Sequence, residues 1–325
     1  MIFVTGGTGF LGSYILQELV LQGRSVRALR RTRTLPYYIP PEISDKISWV
    51  EGDILDPIGL IENMEGCEQI IHAAGLVSFS PSDKKKLFKI NIEGTANLVN
   101  AAIETGITDF VHISSVGALG RNSDNKAVDE EKKWPGSQGQ SNYGISKYYG
   151  EMEVWRGMGE GLSPLIVNPA TILGYGNWNE TSCGLFKTAY GEFSWYMGGM
   201  NGFADVQDTA LAVIGLMDSG IRNERFIISA ENRSYQEIFN WMAKGFGKKQ
   251  PSKKASPFIA GLAWRMEKIK SVFSGHKPLI TEESVAIASR LNMYDNRKLL
   301  RTLPSFHFRT LEDSIFGACE RYLKK

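Results

Sequence analysis

Cysteine and histidine are scarce in this sequence, which limits the kinds of site that it can build. Of its 325 residues, three are cysteine and four are histidine. Cys67, Cys183 and Cys319 lie far apart and form no CxxC pair, and the histidines have no spacing typical of metal ligands. We therefore expect no metal site and no disulfide framework, and the scattered thiols favour a reducing compartment.

The chain also lacks a large excess of charge and any long apolar run. Its 37 Lys and Arg side chains nearly balance 35 Asp and Glu side chains, which leaves a formal net charge of +2. This balance argues against a general nucleic-acid binder and against a strongly basic membrane-surface protein. No stretch reaches the ~18 uncharged apolar residues of a membrane span, and no basic segment with a cleavage site opens the sequence. These features predict a cytoplasmic protein with neither a membrane span nor a nucleic-acid partner.

Short apolar segments rich in β-branched residues alternate along the chain with stretches of helical spacing. This alternation is the repeating unit of a doubly wound parallel sheet, so we predict an α/β Rossmann fold. The predicted strands are residues 2–5, 25–30, 47–53, 69–75, 110–115, 165–168 and 225–229. The clearest predicted helices are residues 13–22, 94–104 and 205–216.

A glycine-rich turn connects the first predicted strand to the first predicted helix. In this turn, Gly7 would allow the tight bend, Gly9 would let the backbone approach a pyrophosphate, and Gly12 would let the helix pack on the strand. The helix N-terminus would offer unpaired N–H groups and a partial positive charge to the phosphates. The pattern predicts a dinucleotide-binding turn, and the alternative is a glycine-rich turn without a ligand. The predicted contacts are Gly6, Gly7, Thr8, Gly9, Phe10, Leu11 and Gly12.

The end of the second predicted strand indicates which dinucleotide would bind. An NAD enzyme usually carries an acidic residue there, which accepts a hydrogen bond from the ribose 2′-OH. This chain instead has Arg30-Arg31-Thr32-Arg33, with no acidic residue before Glu42. Because arginine binds a 2′-phosphate through charge-assisted hydrogen bonds, Arg30 and Arg31 predict NADP as the cofactor, with NAD as the second choice. The alternative is that these arginines are solvated loop residues.

Tyr143 and Lys147 are four residues apart, which places them on one face of a helix. A phenol with a pKa of ~10 is a poor acid or base at neutral pH until its anion is stabilised. An ammonium about 5 Å away contributes roughly 3 kcal/mol at an effective dielectric constant of about 20. Ser114 and Ser115 end the fifth predicted strand, at the rim where a substrate carbonyl would lie. A YxxxK pair alone is common by chance, but with these serines it predicts acid–base catalysis.

Several motifs occur together in an order typical of one enzyme family. They are Thr5-Gly6-Gly7-Thr8-Gly9-Phe10-Leu11-Gly12, Gly52-Asp53-Ile54, His72-Ala73-Ala74-Gly75, Asn91-Ile92-Glu93-Gly94-Thr95, Ser114-Ser115 and Tyr143-x-x-x-Lys147. In this combination, residues 1–230 resemble the extended short-chain dehydrogenases/reductases, which include the NAD-dependent epimerase/dehydratase proteins. Val77-Ser78-Phe79 and a helical cap make the chain most similar to the dihydroflavonol-reductase and 3β-hydroxysteroid-dehydrogenase branch.

The resemblance implies a catalytic set of three residues. Tyr143 would be the acid/base, and Lys147 would lower the pKa of Tyr143 and hold the nicotinamide ribose. Ser115 would bond the substrate oxygen, with Ser114 as the second choice. The chain would then be an NADP-dependent oxidoreductase that moves a hydride between nicotinamide and a substrate carbonyl or secondary alcohol.

The resemblance also implies further cofactor contacts. Asp53 and Ile54 would lie against the adenine, although Asp53 could merely cap the turn before Pro57. Asn91 would buttress the middle of the cofactor site, although it could be purely structural. The other implied contacts are Ala73, Ala74, Gly75, Pro169 and Thr171.

Two departures from the family pattern bear on the reaction. Asn168 replaces an arginine that the family often has after the sixth strand. Ser115 is followed by Val116-Gly117, where sugar-nucleotide dehydratases carry an Asp-Glu pair for elimination. These departures disfavour a sugar-nucleotide enzyme without excluding an epimerase that retains NAD(P). A second alternative is a non-catalytic NADP-binding sensor.

The composition of the chain divides it into two predicted domains. Residues 1–174, completed by 203–230, would form the Rossmann domain. Residues 175–202 and 231–325 would form a smaller, mainly helical substrate cap, in which 258–264 is a short amphipathic or buried helix. A small-molecule substrate would bind between the domains, and the family pattern allows a homodimer. The predicted substrate residues are Ser78, Phe79, Ser115, Asn168, Trp178 and Tyr196, although aromatic residues such as Trp178, Tyr196 and Phe203 could instead be packing.

Overall fold

Strands and helices alternate in a computed structural model that describes residues 1–120, 126–274 and 281–324. The strands are β1 (Ile2–Thr5), β2 (Val26–Arg30), β3 (Ser48–Glu51), β4 (Gln69–His72), β5 (Asp109–Ile113), β6 (Ser163–Pro169), β7 (Thr171–Leu173), β8 (Trp195–Tyr196), β9 (Met200–Asp205), β10 (Glu224–Ile228), β11 (Glu231–Ser234) and β12 (Lys253–Lys254). The helices are α1 (Phe10–Leu21), α2 (Pro41–Ser44), α3 (Pro57–Met64), α4 (Lys84–Phe88), α5 (Gly94–Glu104), α6 (Asn142–Gly159), α7 (Gly184–Tyr190), α8 (Val206–Asp218), α9 (Tyr235–Gly245), α10 (Pro257–Ser274), α11 (Glu282–Ala288), α12 (Arg297–Thr302) and α13 (Leu311–Leu323).

A parallel sheet of seven strands, in the order β10-β6-β5-β4-β1-β2-β3, forms the centre of the fold. The chain builds outward in one direction from β1 to β3 and in the other from β4 to β10. The carboxyl ends of β1 and β4 therefore flank the switch point, where open α/β sheets bind their ligands. All seven strands predicted from the sequence lie in this sheet, which confirms the predicted doubly wound α/β fold.

Helices cover both faces of the sheet because the strands at its centre are predominantly apolar. On one face α1 packs against α8, with Ile15, Leu16 and Val213 fully buried. On the other face α3, α5 and α6 pack together, with Leu98 and Val154 fully buried. Burial of each such side chain contributes roughly 1.5–3 kcal/mol to folding. This packing holds the carboxyl edge of the sheet rigid.

The region after the sixth strand contains β structure that the sequence analysis missed. Strands β11, β9 and β7 form a second sheet, in which β11 and β9 are antiparallel. Gly202 conceals the strand character of β9, and it is required because a Cβ atom there would lie 2.5 Å from Ser229 Oγ. Phe203 is fully buried in β9 and packs edge-to-face on Tyr235, so it belongs to the core and lines no pocket. The predicted domain boundaries stay a prediction.

Two further features of the described residues concern membranes and metals. None of the helices described is both long enough and apolar enough to cross a bilayer. Within the described ranges, no three His, Cys, Asp or Glu side chains lie close enough together to hold a metal ion. Cys67, Cys183 and Cys319 are buried free thiols.

Candidate active site

The glycine-rich turn lies between β1 and α1, at the switch point of the sheet. Gly9 precedes the first turn of α1, and that first turn contains no acidic residue. The N–H groups and the positive end of the helix dipole therefore have no competing carboxylate within that turn. This geometry fits the pyrophosphate of a dinucleotide.

The structure reassigns the roles of two glycines in the turn. Gly6, rather than Gly7, has the left-handed backbone, with a φ of 73°. A Cβ atom on Gly7 would lie 2.4 Å from Leu16 Cδ1, so Gly7 is needed for close packing of α1 on the strand. A Cβ atom on Gly12 would lie 2.1 Å from the Gly6 carbonyl oxygen. The tight bend thus depends on Gly6, whereas Gly7 and Gly12 allow close contacts.

Alanine at Gly9 and at Gly12 is expected to separate ligand binding from folding. Gly9 is exposed, and its Cβ atom would lie 3.1 Å from the Gly6 carbonyl oxygen, so Gly9→Ala should fold and lose affinity for NADP(H) and NAD(H). Gly12→Ala should lower the melting temperature even without a dinucleotide, because backbone atoms cannot easily move away. Thermal unfolding with and without cofactor measures both effects. Equal melting temperatures for Gly12→Ala and the wild type would contradict this assignment.

The loop after β4 passes beside the glycine-rich turn. A Cβ atom on Gly6 would lie 2.3 Å from the Ala74 nitrogen and 2.5 Å from the Ala73 oxygen. Asn91 is buried in a π-helical turn, where its amide accepts from Leu76 N–H at 2.7 Å and donates to the Leu76 carbonyl at 3.0 Å. Asn91 Nδ2 also donates to Ser146 Oγ on α6 at 2.9 Å. Asn91 therefore fixes this loop to the helix that carries Tyr143 and Lys147.

The arginines that follow β2 differ in their surroundings. The Arg30 guanidinium lies 5.6 Å from the centre of the Trp49 ring, in a cation–π contact. Arg31 is exposed. Arg33 pairs with Glu51 at 2.7 Å, and this hydrogen bond lowers the pKa of Glu51. Arg31 therefore offers an exposed guanidinium beside the end of β2, while Arg33 is already paired.

Four other predicted cofactor residues have packing or capping contacts. Asp53 Oδ1 accepts from Leu55 N–H at 3.0 Å. This contact is the turn cap that was considered as the alternative to adenine binding by Asp53. Ile54 is buried, and its Cδ1 would be 2.5 Å from a Cβ atom on Gly94. Pro169 is buried at the end of β6, and Thr171 Oγ1 accepts from Asn201 Nδ2 at 2.8 Å. Their contact with a cofactor stays a prediction.

Tyr143 and Ser115 meet at the carboxyl end of β5. Tyr143 lies in the first turn of α6, which Ser141 caps by accepting from Gly144 N–H at 3.0 Å. The Ser115 hydroxyl accepts from Gly117 N–H at 3.1 Å, which fixes its orientation. Burial raises the pKa of Tyr143, and the hydrogen bond from Ser115 opposes this rise. The phenol is therefore protonated at neutral pH and lies next to a fixed hydroxyl.

Lys147 lies one turn further along α6 and is buried. Its Nζ donates to the Ile113 carbonyl at 2.8 Å and would lie 3.8 Å from a Cβ atom on Gly75. Burial lowers the pKa of Lys147 to about 8, against the opposing effect of the Glu151 carboxylate. Burial and the Ser115 hydrogen bond are the influences on the pKa of Tyr143 in this structure, and its lowering by Lys147 stays a prediction.

Glu151 forms a buried acidic support for this site that the sequence analysis missed. It is fully buried, and burial raises its pKa against the favourable effects of Arg225, Ser114, Asn168 and Lys147. Arg225 Nη1 lies 3.5 Å from Glu151 Oε2. Ser115 is the serine that faces Tyr143, because a Cβ atom on Gly117 would lie 3.5 Å from Ser115 Oγ and 3.8 Å from Tyr143 Cδ1. The signal was present in the sequence, since Glu151 follows Lys147 by four residues on the same helix.

Asn168, which was predicted to contact substrate, is bonded to protein groups in this structure, and its role toward substrate stays a prediction. Its side chain is fully buried. Its Nδ2 donates to Glu151 Oε1 at 2.5 Å and to the Ser115 carbonyl at 3.0 Å. Asn168 therefore acts through Ser115 and Glu151, as a positioning residue that joins the end of β5 to α6.

Two buried histidines lie beneath Lys147, at equivalent positions on β4 and β5. The Thr5 and Thr95 hydroxyls bond the ring nitrogens of His72 at 2.8 and 2.9 Å. Burial, followed by the charge of Lys147, lowers the pKa of His72 to about 3 and lowers that of His112 well below its ordinary value. Both rings are therefore neutral packing groups.

The predicted substrate residues divide into those near Tyr143 and those elsewhere. The Phe79 ring packs edge-to-face on Tyr143, with the ring centres 5.7 Å apart, and Ser78 Oγ donates to Asp83 Oδ2 at 2.6 Å in the same loop. Trp178 stacks on Tyr322 at 5.4 Å, and Tyr196 belongs to the short β8–β12 pair. Trp178 and Tyr196 thus have packing partners, and their role toward substrate stays a prediction.

A residue of α11 also contacts the start of the catalytic helix. Glu283 Oε1 accepts from Asn142 Nδ2 at 2.7 Å and from Asn142 N–H at 3.4 Å. Partial burial raises the pKa of Glu283. Glu283 was not predicted from the sequence, and its contact with Asn142, the residue before Tyr143, ties the region after residue 280 to the catalytic helix.

Comparisons with known proteins agree with this geometry. Residues 2–194 match the NAD dependent epimerase/dehydratase family. The "Putative dihydroflavonol 4-reductase" of Synechocystis sp. is 31% identical over 93% of this chain and 88% of its own length. Sterol demethylase protein B of Methylococcus capsulatus is 27% identical over 92% of each chain. The crystal structure of gox2253 has a TM-score of 0.84 at 28% identity and covers 100% of this chain and 98% of its own.

Proposed function

Because the chain belongs to the NAD-dependent epimerase/dehydratase family, we propose that it is an oxidoreductase that reduces a substrate carbonyl or oxidises a secondary alcohol. The observation that carries the proposal is the hydrogen bond between Ser115 and Tyr143, with Lys147 buried one turn further along the same helix. The absence of an Asp-Glu pair after Ser115 disfavours the elimination chemistry of sugar-nucleotide dehydratases. The substrate is a small molecule with one reacting oxygen atom.

The three residues have complementary tasks in the reduction direction. The Ser115 hydroxyl donates a hydrogen bond to the carbonyl oxygen and polarises it. The protonated Tyr143 gives its proton to that oxygen as negative charge develops. Lys147 would bond the nicotinamide ribose and place a positive charge near the Tyr143 phenolate. The nicotinamide, when bound, supplies or accepts the hydride.

The cofactor that the site favours is NADP. No acidic residue ends β2, and the Arg31 guanidinium is exposed at that position. The Arg30 guanidinium packs against the Trp49 ring. This planar cation would bind the 2′-phosphate of the adenine ribose. Pyrophosphate would take the N–H groups of the Gly9–Phe10 turn at the start of α1.

Removal of the Arg31 charge is expected to affect NADP and spare NAD. Charge-assisted hydrogen bonds contribute about 1.5–3 kcal/mol, so Arg31→Ala should raise the Kd of NADPH by roughly 10- to 100-fold. The Kd of NADH should hardly change. Arg24→Ala is the matched control, because Arg24 lies before β2 and pairs with Asp218 at 2.7 Å. Fluorescence titration of reduced cofactors measures both constants, and equal losses for NADPH and NADH would contradict NADP selectivity.

A coupled substrate and cofactor screen tests the reaction itself. Purified protein is incubated with NADPH or NADH and a panel of aldehydes and ketones, and loss of the reduced-nicotinamide absorbance is followed. The proposal expects turnover with at least one carbonyl compound. Interconversion of UDP-sugars without net oxidation would identify an epimerase instead. Tight cofactor binding without turnover on any carbonyl would favour a sensor.

A further inference from the structure

The first part of helix α10 carries an exposed apolar stripe. Phe258, Leu262 and Met266 are 80%, 51% and 61% exposed. Their spacing of four residues places them on one face of the helix. Ala260, on the opposite side, is buried. The helix thus packs through one face and presents three large apolar side chains on another.

Basic residues are concentrated around this stripe. Residues 248–267 contain five Lys and Arg residues and one acidic residue, a formal net charge of +4. The whole chain carries only +2, so the remaining residues carry −2. Lys249, Lys253 and Lys254 are exposed, and none of their ammonium groups forms an ion pair among the residues that the structure describes. The Lys249 backbone N–H donates to the Glu192 carboxylate at 3.5 Å, and the Lys253 ammonium lies over the Trp195 ring at 5.5 Å. The near-neutral charge of the chain therefore conceals a basic segment, which lies before α10 and along its first part.

We propose that α10 and the lysines before it dock on the surface of an anionic lipid bilayer. The helix would lie in the plane of the interface, with Phe258, Leu262 and Met266 at the boundary between headgroups and acyl chains. Lys249, Lys253, Lys254 and Arg265 would face the lipid phosphates. The protein would bind the membrane at its surface, and none of the described helices could span the bilayer.

The chemistry of the patch favours a bilayer over a protein partner. A stable protein interface buries about 800 Å² on each side, which three side chains of one helix do not provide. A bilayer needs no matching shape, and it supplies both an apolar layer and a dense layer of phosphates. Large apolar residues flanked by lysines and an arginine suit that layering, in the manner of interfacial amphipathic helices.

Sedimentation of the full chain with lipid vesicles tests the proposal. Vesicles of phosphatidylcholine alone are compared with vesicles of phosphatidylcholine and phosphatidylserine. The wild type should bind the mixed vesicles, bind the neutral ones far less, and be released by added salt. Phe258→Ser, Leu262→Ser and Met266→Ser together should weaken binding by at least about tenfold. Lys249→Gln, Lys253→Gln and Lys254→Gln together should weaken it on the order of 100-fold.

Matched variants elsewhere on the surface control for nonspecific binding through exposed apolar side chains and through positive charge. Leu21→Ser with Ile58→Ser removes two exposed apolar residues, and Lys84→Gln, Lys85→Gln and Lys86→Gln removes three exposed lysines. Both controls should bind mixed vesicles like the wild type, and all variants should keep the wild-type melting temperature. The proposal is overturned if the wild type ignores anionic vesicles or if the controls lose as much binding as the α10 variants. Concentration-dependent dimerisation without lipid, abolished by the α10 variants, would assign the stripe to a second copy and overturn it too.

Discussion

Tyr143→Phe is expected to lower kcat by roughly 100- to 10,000-fold, the range for loss of a general acid or base. The substitution removes one oxygen atom and keeps the ring that packs on Phe79. Affinity for NADPH should therefore remain close to that of the wild type. Steady-state kinetics with the best substrate from the carbonyl screen, together with cofactor titration, measure both quantities.

The control for this experiment lies on the same helix. Tyr149 is 44% exposed, and Tyr149→Phe removes the same hydroxyl group from a solvated position. It should leave kcat unchanged. Wild-type turnover by Tyr143→Phe would remove Tyr143 from the reaction, and an equal loss in both variants would point to a change in the fold.

The pH dependence of reduction should follow the state of the phenol. Tyr143 acts as an acid in this direction, so it must be protonated before the substrate oxygen can take its proton. Burial raises the pKa of Tyr143 against the Ser115 hydrogen bond. Ser115→Ala should therefore raise that pKa further, while it also removes the hydroxyl that polarises the substrate.

The sequence was informative where chemistry requires fixed residues at strand ends. Gly12, for example, must be glycine because a Cβ atom there would lie 2.1 Å from a backbone oxygen. Several such positions close together produce a recognisable glycine pattern in the sequence. Ser115 and Tyr143 were predicted from the YxxxK pair, the two serines at the end of β5 and the resemblance to the family. Local spacing could not say which way each hydroxyl turns, and the approach of Ser115 and Tyr143 near Gly117 identifies the serine that faces the phenol.

The contacts that the sequence did not reveal are long-range ones. Asn168 stands where the family often has an arginine, and it donates to Glu151 and to the Ser115 carbonyl across the sheet. The second sheet was missed because its strands are short, and Gly202 interrupts the apolar pattern of β9. In both cases the decisive partner lies far away in sequence, where periodicity carries no information.

Lys147→Met is expected to abolish most activity and to change how stability depends on pH. Burial lowers the pKa of Lys147 from 10.5 to about 8, which at about 1.4 kcal/mol per pKa unit corresponds to about 3 kcal/mol. Below pH 8 both the folded and unfolded chains hold this proton, and the buried charge lowers the free energy of unfolding. Between pH 8 and 10.5 the unfolded chain holds more protons at this group, so stability rises with pH relative to the variant.

Denaturant unfolding of wild type and Lys147→Met at a series of pH values measures this difference. Between pH 8 and 10.5, the free energy of unfolding of the wild type should rise by about 3 kcal/mol relative to that of the variant. The variant also lacks the ammonium that donates to the Ile113 carbonyl, and this loss costs about 1–3 kcal/mol at every pH. Only the pH-dependent part of the difference in the free energy of unfolding therefore reports on the pKa of Lys147. Lys86→Met, at an exposed lysine, should show no such change. Parallel curves for wild type and Lys147→Met would mean that Lys147 is not desolvated, and its proposed place beside the phenol and the nicotinamide ribose would then be untenable.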